Sequence, residues 1–467
     1  MYKLVAWARP LDHPKGSLVL SFIAWKLVLL CIALTSPGPG YDTSTVLLHP
    51  HSNLAQAKAG SGWELASRLS NLVRWDAIYF TQLARRGYMW EQEWAFGWGF
   101  TNLVALTSRA LGSSDYLWSP GPEALAAIIL AHVFHLLSVL MLHELTLTVY
   151  LRSTTTRISS ISVLAASLHI IAPAGMFLSA PYAESSFSFL NFAGYYLYAK
   201  AMLKHGEGSK TQRDCLLLLC GVAFGIATTC RVNGLFSGLL LVWDALACST
   251  RILQSTDIAT NVRHLLIVSI AGLLMACIAM VPQYLAYDEY CVRGSAETDK
   301  RPWCSFWPPS IYTWVQRQYW GVGFLNYWTI SNLPLYILAT PMLLILLGSG
   351  IWALQGCSNS KIGAGREKRE NTKISSPLRI NEVIAARFAI PQLVLAALAL
   401  TNYHVQVITR LSSGYPVWYW WLASLILEDR KTSLMGRTWS TACVISRWMV
   451  IYAIVQGGLF ASFLPPA

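Results

Sequence analysis

Apolar runs of about twenty residues recur along this chain, and each is long enough to cross a bilayer as a helix. A helix satisfies its own backbone hydrogen bonds, as the hydrocarbon core requires. Only 12% of the residues are charged, whereas a soluble domain typically carries about 25%. The sequence therefore predicts an all-α polytopic membrane protein, a single integral domain over 1–467 with about eleven spans. The predicted spans are 17–35, 121–149, 159–178, 185–204, 214–230, 233–248, 264–285, 332–354, 382–401, 416–428 and 446–464.

Basic residues cluster in the short loops between these runs, so the net charge of +12 indicates membrane orientation rather than nucleic-acid binding. The segment 355–381 is polar, basic and rich in Gly and Ser, which predicts a disordered cytosolic loop. Counting spans in both directions from it places the other basic loops on the same side. The opposite side receives loops 36–120 and 286–331, and the region 95–112 is expected to add a re-entrant or extra helix. The first run carries Lys26, has no clear cleavage site after it, and is interpreted as a retained anchor.

The stretch Arg74-Trp75-Asp76 lies in the first non-cytosolic loop. If the chain is helical over Leu69–Arg85, the apolar residues form one stripe and Asp76 falls inside it. A carboxylate on the apolar side of a helix costs free energy unless it is paired or used. Two interpretations stay open at this point: Asp76 is an interfacial carboxylate paired with an arginine, or it is a catalytic group.

Further polar and aromatic clusters fall on the same side of the membrane, at 179–185, 231–234, 302–304, 319–324 and 404–410. Their convergence predicts a shared pocket. Arginines there suit a phosphate group, a carboxylate suits a general base, and aromatic residues suit a sugar face or an isoprenoid chain. Helix capping by Glu184, or an ordinary interfacial belt, would also account for single residues. The candidate substrate-binding residues are Arg74, Trp75, Glu91, Tyr182, Glu184, Arg231, Asn233, Trp303, His404, Gln406 and Arg410.

The sequence carries no CxxC pair, no Cys/His metal spacing and no Gly-rich phosphate loop. We therefore expect no bound nucleotide, no cofactor and no obligatory metal. Cys291 and Cys304 flank one polar loop and would form a disulfide if that loop faces an oxidising lumen.

Taken in order, these residues resemble the family of the second mannosyltransferase of glycosylphosphatidylinositol (GPI) anchor synthesis. After Ala95-Phe96, relatives commonly continue with a proline-containing aromatic run, whereas this chain has Gly97-Trp98-Gly99-Phe100. The resemblance covers most of the chain and rests on Arg74-Trp75-Asp76, Phe80, Gly87-Tyr88, Glu91, Ala95-Phe96, Pro173, and the clusters 179–185, 231–234, 302–304, 319–324 and 404–410.

This resemblance implies a GT-C type fold in the endoplasmic reticulum (ER) membrane, with loops 36–120 and 286–331 in the lumen. It implies transfer of mannose from dolichyl-phosphate mannose, with inversion, to form the α-1,6 link on the mannosyl-glucosaminyl-phosphatidylinositol intermediate. Asp76 matches the family's catalytic base, and fungal relatives suggest a small accessory membrane subunit. The alternatives are a transporter or scramblase of a lipid-linked sugar, or a non-catalytic subunit of a glycosyltransferase complex. A transporter favours charges near the bilayer midplane and repeat symmetry, so charged clusters at one face favour an enzyme.

Overall fold

The structure is a computed structural model that describes residues 11–37, 44, 68–112, 121–150, 155–206, 208–254, 257–293, 301–367, 377–428, 431–434 and 437–464. Fifteen α-helices and one two-stranded hairpin make up the regular structure of these residues. The helices are α1 Pro14–Thr35, α2 Asp76–Arg86, α3 Trp98–Leu111, α4 Pro122–Tyr150, α5 Thr155–Ile170, α6 Glu184–Gly206, α7 Lys210–Cys230, α8 Leu239–Leu253, α9 Ile258–Tyr287, α10 Ile311–Gln318, α11 Leu333–Glu367, α12 Pro377–Thr401, α13 Ile408–Leu411, α14 Val417–Glu428 and α15 Thr441–Ala461. The antiparallel strands are β1 Lys431–Leu434 and β2 Arg437–Ser440.

Eight helical segments within the described residues are long and apolar enough to cross a membrane. They confirm a polytopic helical membrane protein. The segments are Pro14–Thr35, Pro122–Tyr150, Lys210–Cys230, Val232–Leu253, Ile258–Arg293, Ile330–Gly356, Glu382–Thr401 and Thr441–Ala461.

The other three predicted spans correspond to α5, α6 and α14, and two of these are short. Helix α5 ends at Ile170, because Pro173 cannot continue a helix and Gly175 adopts a positive φ of 44°. Helix α14 has 12 residues and rises only about 18 Å, less than the thickness of a hydrocarbon core. The predicted span 159–178 is therefore wrong at its end, whereas 416–428 matches α14 in its bounds but is too short to cross the hydrocarbon core.

Helix α6 lies at the centre of the bundle, packed against α4 and α7. Its first half is buried although it carries serines and an asparagine. Asn191 Nδ2 donates to the Gly414 carbonyl at 2.9 Å, and the Ser188 and Ser413 hydroxyls lie 3.0 Å apart. Buried polar groups need such partners. The polar face of α6 therefore holds the 405–416 segment against the bundle.

Helices α7 and α9 approach closely at Gly221. A Cβ on this glycine would lie 2.3 Å from the Ala271 carbonyl oxygen, which no side chain tolerates. Close approach at small residues is the usual packing mode of membrane helices. This contact fixes the spacing of the two helices whose C-terminal ends form one wall of the site described below.

The structure changes one prediction about the loops and agrees with two others. Helix α11 continues to Glu367 and α12 begins at Pro377, so the polar loop predicted over 355–381 shortens to 368–376, which lies outside the described residues. The helix expected within 95–112 is confirmed as α3. Cys291 and Cys304 form a disulfide, with 5.7 Å between their Cα atoms.

Candidate active site

Asp76 begins α2, and the backbone just before it is unusual. Trp75 has φ 57° and ψ −131°, a region that bulky residues rarely adopt. The helix predicted over Leu69–Arg85 is therefore wrong at its start: a short 3₁₀ turn ends at Leu72, and α2 begins four residues later. Asp76 does not lie on an interior apolar stripe. Its side chain is 39% exposed and faces a cavity.

Asp76 is joined to a chain of ion pairs through Arg410. Arg410 Nη2 lies 3.3 Å from Asp76 Oδ2, and Arg410 Nε donates to Glu184 Oε1 at 3.0 Å. Arg231 Nη2 lies 3.3 Å from the same Glu184 oxygen. Two carboxylates and two guanidinium groups therefore meet at one place, although they come from four separate parts of the chain.

Glu184 is the buried anchor of this cluster. It begins α6 and has no solvent exposure, and its Oε2 atom has no hydrogen-bond partner within the described residues. A buried carboxylate costs several kcal/mol unless paired. Its two arginine partners are 14–17% exposed in their side chains, so they reach from this anchor toward the cavity.

The Arg410 guanidinium also lies over two aromatic rings, 4.4 Å from the Phe177 centroid and 5.2 Å from the Tyr182 centroid. Burial alone would lower the pKa of Arg410, but the carboxylates of Glu184 and Asp76 outweigh it and raise that pKa above its ordinary value. Burial raises the pKa of the Tyr182 phenol, which donates to the Arg74 carbonyl at 3.4 Å. Arg410 therefore stays charged, and it is held by Glu184, by Asp76 and by the two aromatic rings.

The cavity above this cluster has a volume of about 790 Å³. Asp76, Arg231 and Arg410 line its charged end, together with His404. An apolar part of the wall comes from α9 and the turn before α8. This apolar wall contains Val232, Leu235, Ala276, Ala279, Met280 and Pro282. Large ligand cavities usually combine an apolar wall with a few convergent polar groups.

His404 and Asn233 line the cavity but are engaged with the protein. His404 Nε2 lies 2.8 Å from the Trp320 carbonyl oxygen, and its ring stacks on Tyr327 with centroids 4.6 Å apart. The Tyr415 hydroxyl donates to the Asn233 carbonyl at 2.9 Å. These contacts fix the cavity wall; the predicted substrate-binding roles of both residues stay predictions.

Besides Tyr182 and Glu184, which lie behind the arginines, five candidate residues do not line the main cavity. Arg74 is buried and donates to Asn71 Oδ1 at 2.6 Å, and Trp75 packs on Phe463. The remaining three candidates form hydrogen bonds with other loop residues. Gln406 Oε1 accepts from the Tyr327 hydroxyl, and the fully buried Trp303 donates from Nε1 to Glu91 at 3.0 Å. The side chains of these five therefore do not line the cavity that Asp76 faces, and Glu91 lines a second, smaller pocket.

Two glycines explain how the loop after Glu91 reaches the cavity. A Cβ on Gly97 would lie 1.9 Å from the Cys230 carbonyl oxygen, and one on Gly99 would lie 2.2 Å from Thr229 Oγ1. The start of α3 therefore packs directly on the C-terminal end of α7. The two glycines of the Gly97-Trp98-Gly99 sequence make this contact possible.

The cavity also contains polar residues that the sequence did not single out. Gln283 follows Pro282 near the end of a long apolar run, and this polar residue was the one available signal. Its Oε1 accepts from the Ser310 hydroxyl at 3.2 Å and the Tyr312 amide at 3.3 Å. The other unpredicted polar lining residues are Tyr79, Gln92, Thr228, Thr229, Ser310, Tyr312, Thr313, Gln316 and Tyr403.

Within the described parts of the chain, no group of three or more His, Cys, Asp or Glu side chains is placed to hold a metal ion. Asp76 and Glu184 are each paired with an arginine instead. The arrangement can therefore offer a carboxylate to an acceptor hydroxyl and guanidinium groups to an anion.

The sequence model of the family described as Mannosyltransferase (PIG-V) matches residues 15–467. The chain is 42% identical to GPI mannosyltransferase 2 of Aspergillus oryzae, over 98% of this chain and 96% of the relative. It is 41% identical to GPI mannosyltransferase 2 of Chaetomium globosum, over 97% of each. Among solved structures, the archaeal oligosaccharyltransferase AglB from Archaeoglobus fulgidus is similar with a TM-score of 0.43 and 10% identity, covering 96% of this chain and 56% of that one.

Proposed function

Because this chain belongs to the PIG-V family of mannosyltransferases, we propose that it is the enzyme that adds the second mannose of the GPI anchor. The relatives named GPI mannosyltransferase 2, which match nearly the whole chain, support this step. The proposed donor is dolichyl-phosphate mannose, and the proposed acceptor is mannosyl-glucosaminyl-phosphatidylinositol. The new bond is an α-1,6 link. The proposed fold type is GT-C.

Asp76 is the proposed general base. Its half-exposed carboxylate faces the cavity, and its position at the start of α2 is held by the rigid turn at Trp75. In the proposed step Asp76 takes the proton of the acceptor hydroxyl as that oxygen bonds to the anomeric carbon of mannose. The bond from this carbon to the donor phosphate breaks on the opposite face. The configuration inverts, and dolichyl phosphate leaves with the electron pair.

Arg410 and Arg231 are the proposed partners of the donor phosphate. Guanidinium groups bind phosphate in bidentate fashion, and both reach into the charged end of the cavity from Glu184. As the phosphate leaves, its charge grows, and fixed cations stabilise that charge without rearrangement. The ion pair of Arg410 with Asp76 supports this assignment, because it joins the proposed base to a proposed phosphate-binding residue.

The apolar wall of the cavity is the proposed site of the donor's isoprenoid chain. Leu235 and Met280 line the cavity and are half exposed on the outer surface of the bundle, at 50% and 49%. In a membrane this surface meets lipid, so the donor would enter sideways from the bilayer. Apolar burial along the chain is worth about 0.8 kcal/mol for each CH₂ group.

The basic end of the bundle supports an ER membrane protein with its site in the lumen. Asp214 near the start of α7 bonds to Arg213 and to Arg263, each at 2.8 Å. The C-terminal residue of α7, Cys230, lines the cavity. Basic residues favour the cytosolic side, which supports the proposal that the cavity faces the lumen. We further propose that no cofactor and no metal is required, and that a small accessory membrane subunit is a partner.

The observation that carries this proposal is the Asp76–Arg410–Glu184 ion-pair chain at the charged end of a cavity with an apolar wall. The test uses membranes from cells that lack the endogenous activity, with the accessory subunit present. The chain is expressed there with labelled dolichyl-phosphate mannose and the one-mannose acceptor. The expected product carries two mannoses and is cleaved by an α-1,6-specific mannosidase. Absence of this product, or equal use of a nucleotide-linked mannose, would overturn the proposal.

A further inference from the structure

A second pocket of about 290 Å³ adjoins the main cavity. The two share Gln92 and Tyr319 in their walls, so a molecule that fills the second pocket can reach the charged end of the first. Its size is near the low end of ligand pockets, roughly 300–1,000 Å³. The second pocket is thus a side chamber of the site.

The lining of this chamber differs from that of the main cavity. It combines the aromatic residues Trp90, Tyr290 and Tyr319 with the polar residues Glu91, Gln92 and Arg301. Trp90 is 61% exposed, whereas Trp94 of the same loop is buried. An exposed aromatic face at the mouth of a polar pocket suits a ring that has one apolar face and polar edges. A sugar has that form, and a lipid chain does not.

Glu91 is held in a fixed orientation inside the chamber. Its Oε1 accepts from the buried Trp303 Nε1 at 3.0 Å. Trp303 directly precedes Cys304, and Tyr290 directly precedes Cys291, so the Cys291–Cys304 disulfide ties two supports of the chamber together. Such support from outside the pocket keeps a binding group in place.

The cation that now pairs with Glu91 is exchangeable. Arg301 Nε lies 3.5 Å from Glu91 Oε1, and the Arg301 side chain is 53% exposed. The Tyr319 hydroxyl lies 3.5 Å from Glu91 Oε2, a long contact. The Glu91 side chain is only 9% exposed, so the long contact and the solvent-exposed arginine are what make this pair weak. An incoming ammonium group with two or three donors can therefore replace Arg301 at this carboxylate.

We propose that the chamber lined by Trp90 and Glu91 is the subsite for the acceptor's amino sugar: Trp90 stacks on the sugar ring, and Glu91 binds its ammonium group. This inference rests on the proposed function, because the acceptor there carries a glucosamine with a free amine. Seating the amino sugar in the side chamber directs the mannose attached to it toward Gln92, Tyr319 and the charged end of the main cavity. Glu91 would thus select acceptors whose amine is free.

Kinetics of the full chain in membranes test the subsite. Trp90→Ala should raise the acceptor KM about tenfold, the effect of one aromatic contact, and leave the donor KM unchanged. Glu91→Gln should lower kcat/KM about tenfold for the free-amine acceptor and leave that for an N-acetylated acceptor unchanged, because only the amine carries the charge. Trp307→Ala is the matched control, because Trp307 is 95% exposed and lines neither pocket. Equal effects on donor and acceptor, or none, would overturn the inference.

A binding measurement separates this inference from the proposed reaction. The probe is water-soluble glucosaminyl-inositol, titrated against the purified full chain in lipid nanodiscs. Wild type and Trp307→Ala should bind it equally, and Trp90→Ala about tenfold more weakly. Equal binding by all three, or none, overturns the subsite even if mannose transfer is observed. Selective loss in Trp90→Ala supports the subsite even if the transfer assay fails.

Discussion

Arg410 and Glu184 form an ion pair, 3.0 Å between Nε and Oε1, across a separation of 226 residues. Glu184 begins the buried helix α6, and Arg410 lies in the short helix α13 that α6 holds in place. Because Arg410 also contacts Asp76 at 3.3 Å, this pair fixes the distance between the loop of the proposed base and the core of the bundle.

The Glu184 carboxylate should be needed to orient both arginines. Glu184→Gln keeps the side-chain shape but removes the charge that pairs with Arg231 and Arg410. We expect kcat/KM for the donor to fall about 10- to 100-fold, since a charge-assisted hydrogen bond contributes about 1.5–3 kcal/mol. Glu428→Gln, exposed at the end of α14, is the matched control and should behave as wild type. Unchanged donor kinetics in Glu184→Gln would contradict the role given to this anchor.

Lys26 should stabilise the segment that leads to Glu184. Its buried Nζ donates to the Leu178 carbonyl at 2.8 Å and to Ser179 Oγ at 2.7 Å. Lys26→Met keeps most of the apolar volume but removes both donors, which should cost about 1–3 kcal/mol. We expect a lower melting temperature in detergent and a several-fold lower transfer rate.

The control for Lys26 is Lys210→Met, because Lys210 bonds at the exposed surface to Thr260 Oγ1. This variant should melt as wild type does. If Lys26→Met also retained the wild-type melting temperature, the two hydrogen bonds would not support the segment as described.

A buried ion pair far from the cavity should matter for stability alone. Arg387 Nη1 lies 2.6 Å from Asp244 Oδ1, and the Tyr198 hydroxyl donates to Asp244 Oδ2 at 2.9 Å. Asp244→Ala leaves Arg387 buried without its partner, which should cost about 3–5 kcal/mol. Thermal unfolding measures this loss, and the KM values of the remaining folded enzyme should equal those of wild type.

The double variant Asp244→Ala with Arg387→Met distinguishes an unpaired charge from general damage. Replacing both partners by apolar groups is often neutral or stabilising. We therefore expect the double variant to melt at a higher temperature than Asp244→Ala alone. A melting temperature below that of the single variant would show that the pair contributes more than mutual neutralisation.

The membrane architecture could be predicted from the sequence because the apolar runs and basic loops report directly on lipid contact and orientation. The prediction was wrong where burial inside the protein replaces lipid contact. Helix α14 has 12 residues and is nearly enclosed by other helices, so it does not need the length of a span. Helix α6 has a polar buried face that hydropathy alone does not explain.

Several residues of the site could be predicted from the sequence, but their backbone conformation and side-chain contacts could not. The sequence placed Asp76, Arg231 and Arg410 on one side, and the cavity brings them together. It also predicted a continuous helix through Trp75, because a positive φ at a tryptophan has no signal in the sequence. Side-chain pairing between distant segments, such as Arg410 with Glu184, depends on how the helices pack. It therefore could not be predicted from the sequence either.

The most direct test of this account compares Asp76→Asn with wild type at equal expression in membranes that lack the endogenous activity. Both receive labelled dolichyl-phosphate mannose and the one-mannose acceptor, and Asp257→Asn serves as control, because Asp257 is exposed at the far end of α9. We predict that the rate of two-mannose product falls by roughly two to four orders of magnitude in Asp76→Asn and is unchanged in the control. A wild-type rate in Asp76→Asn would contradict the assignment of Asp76 as the base.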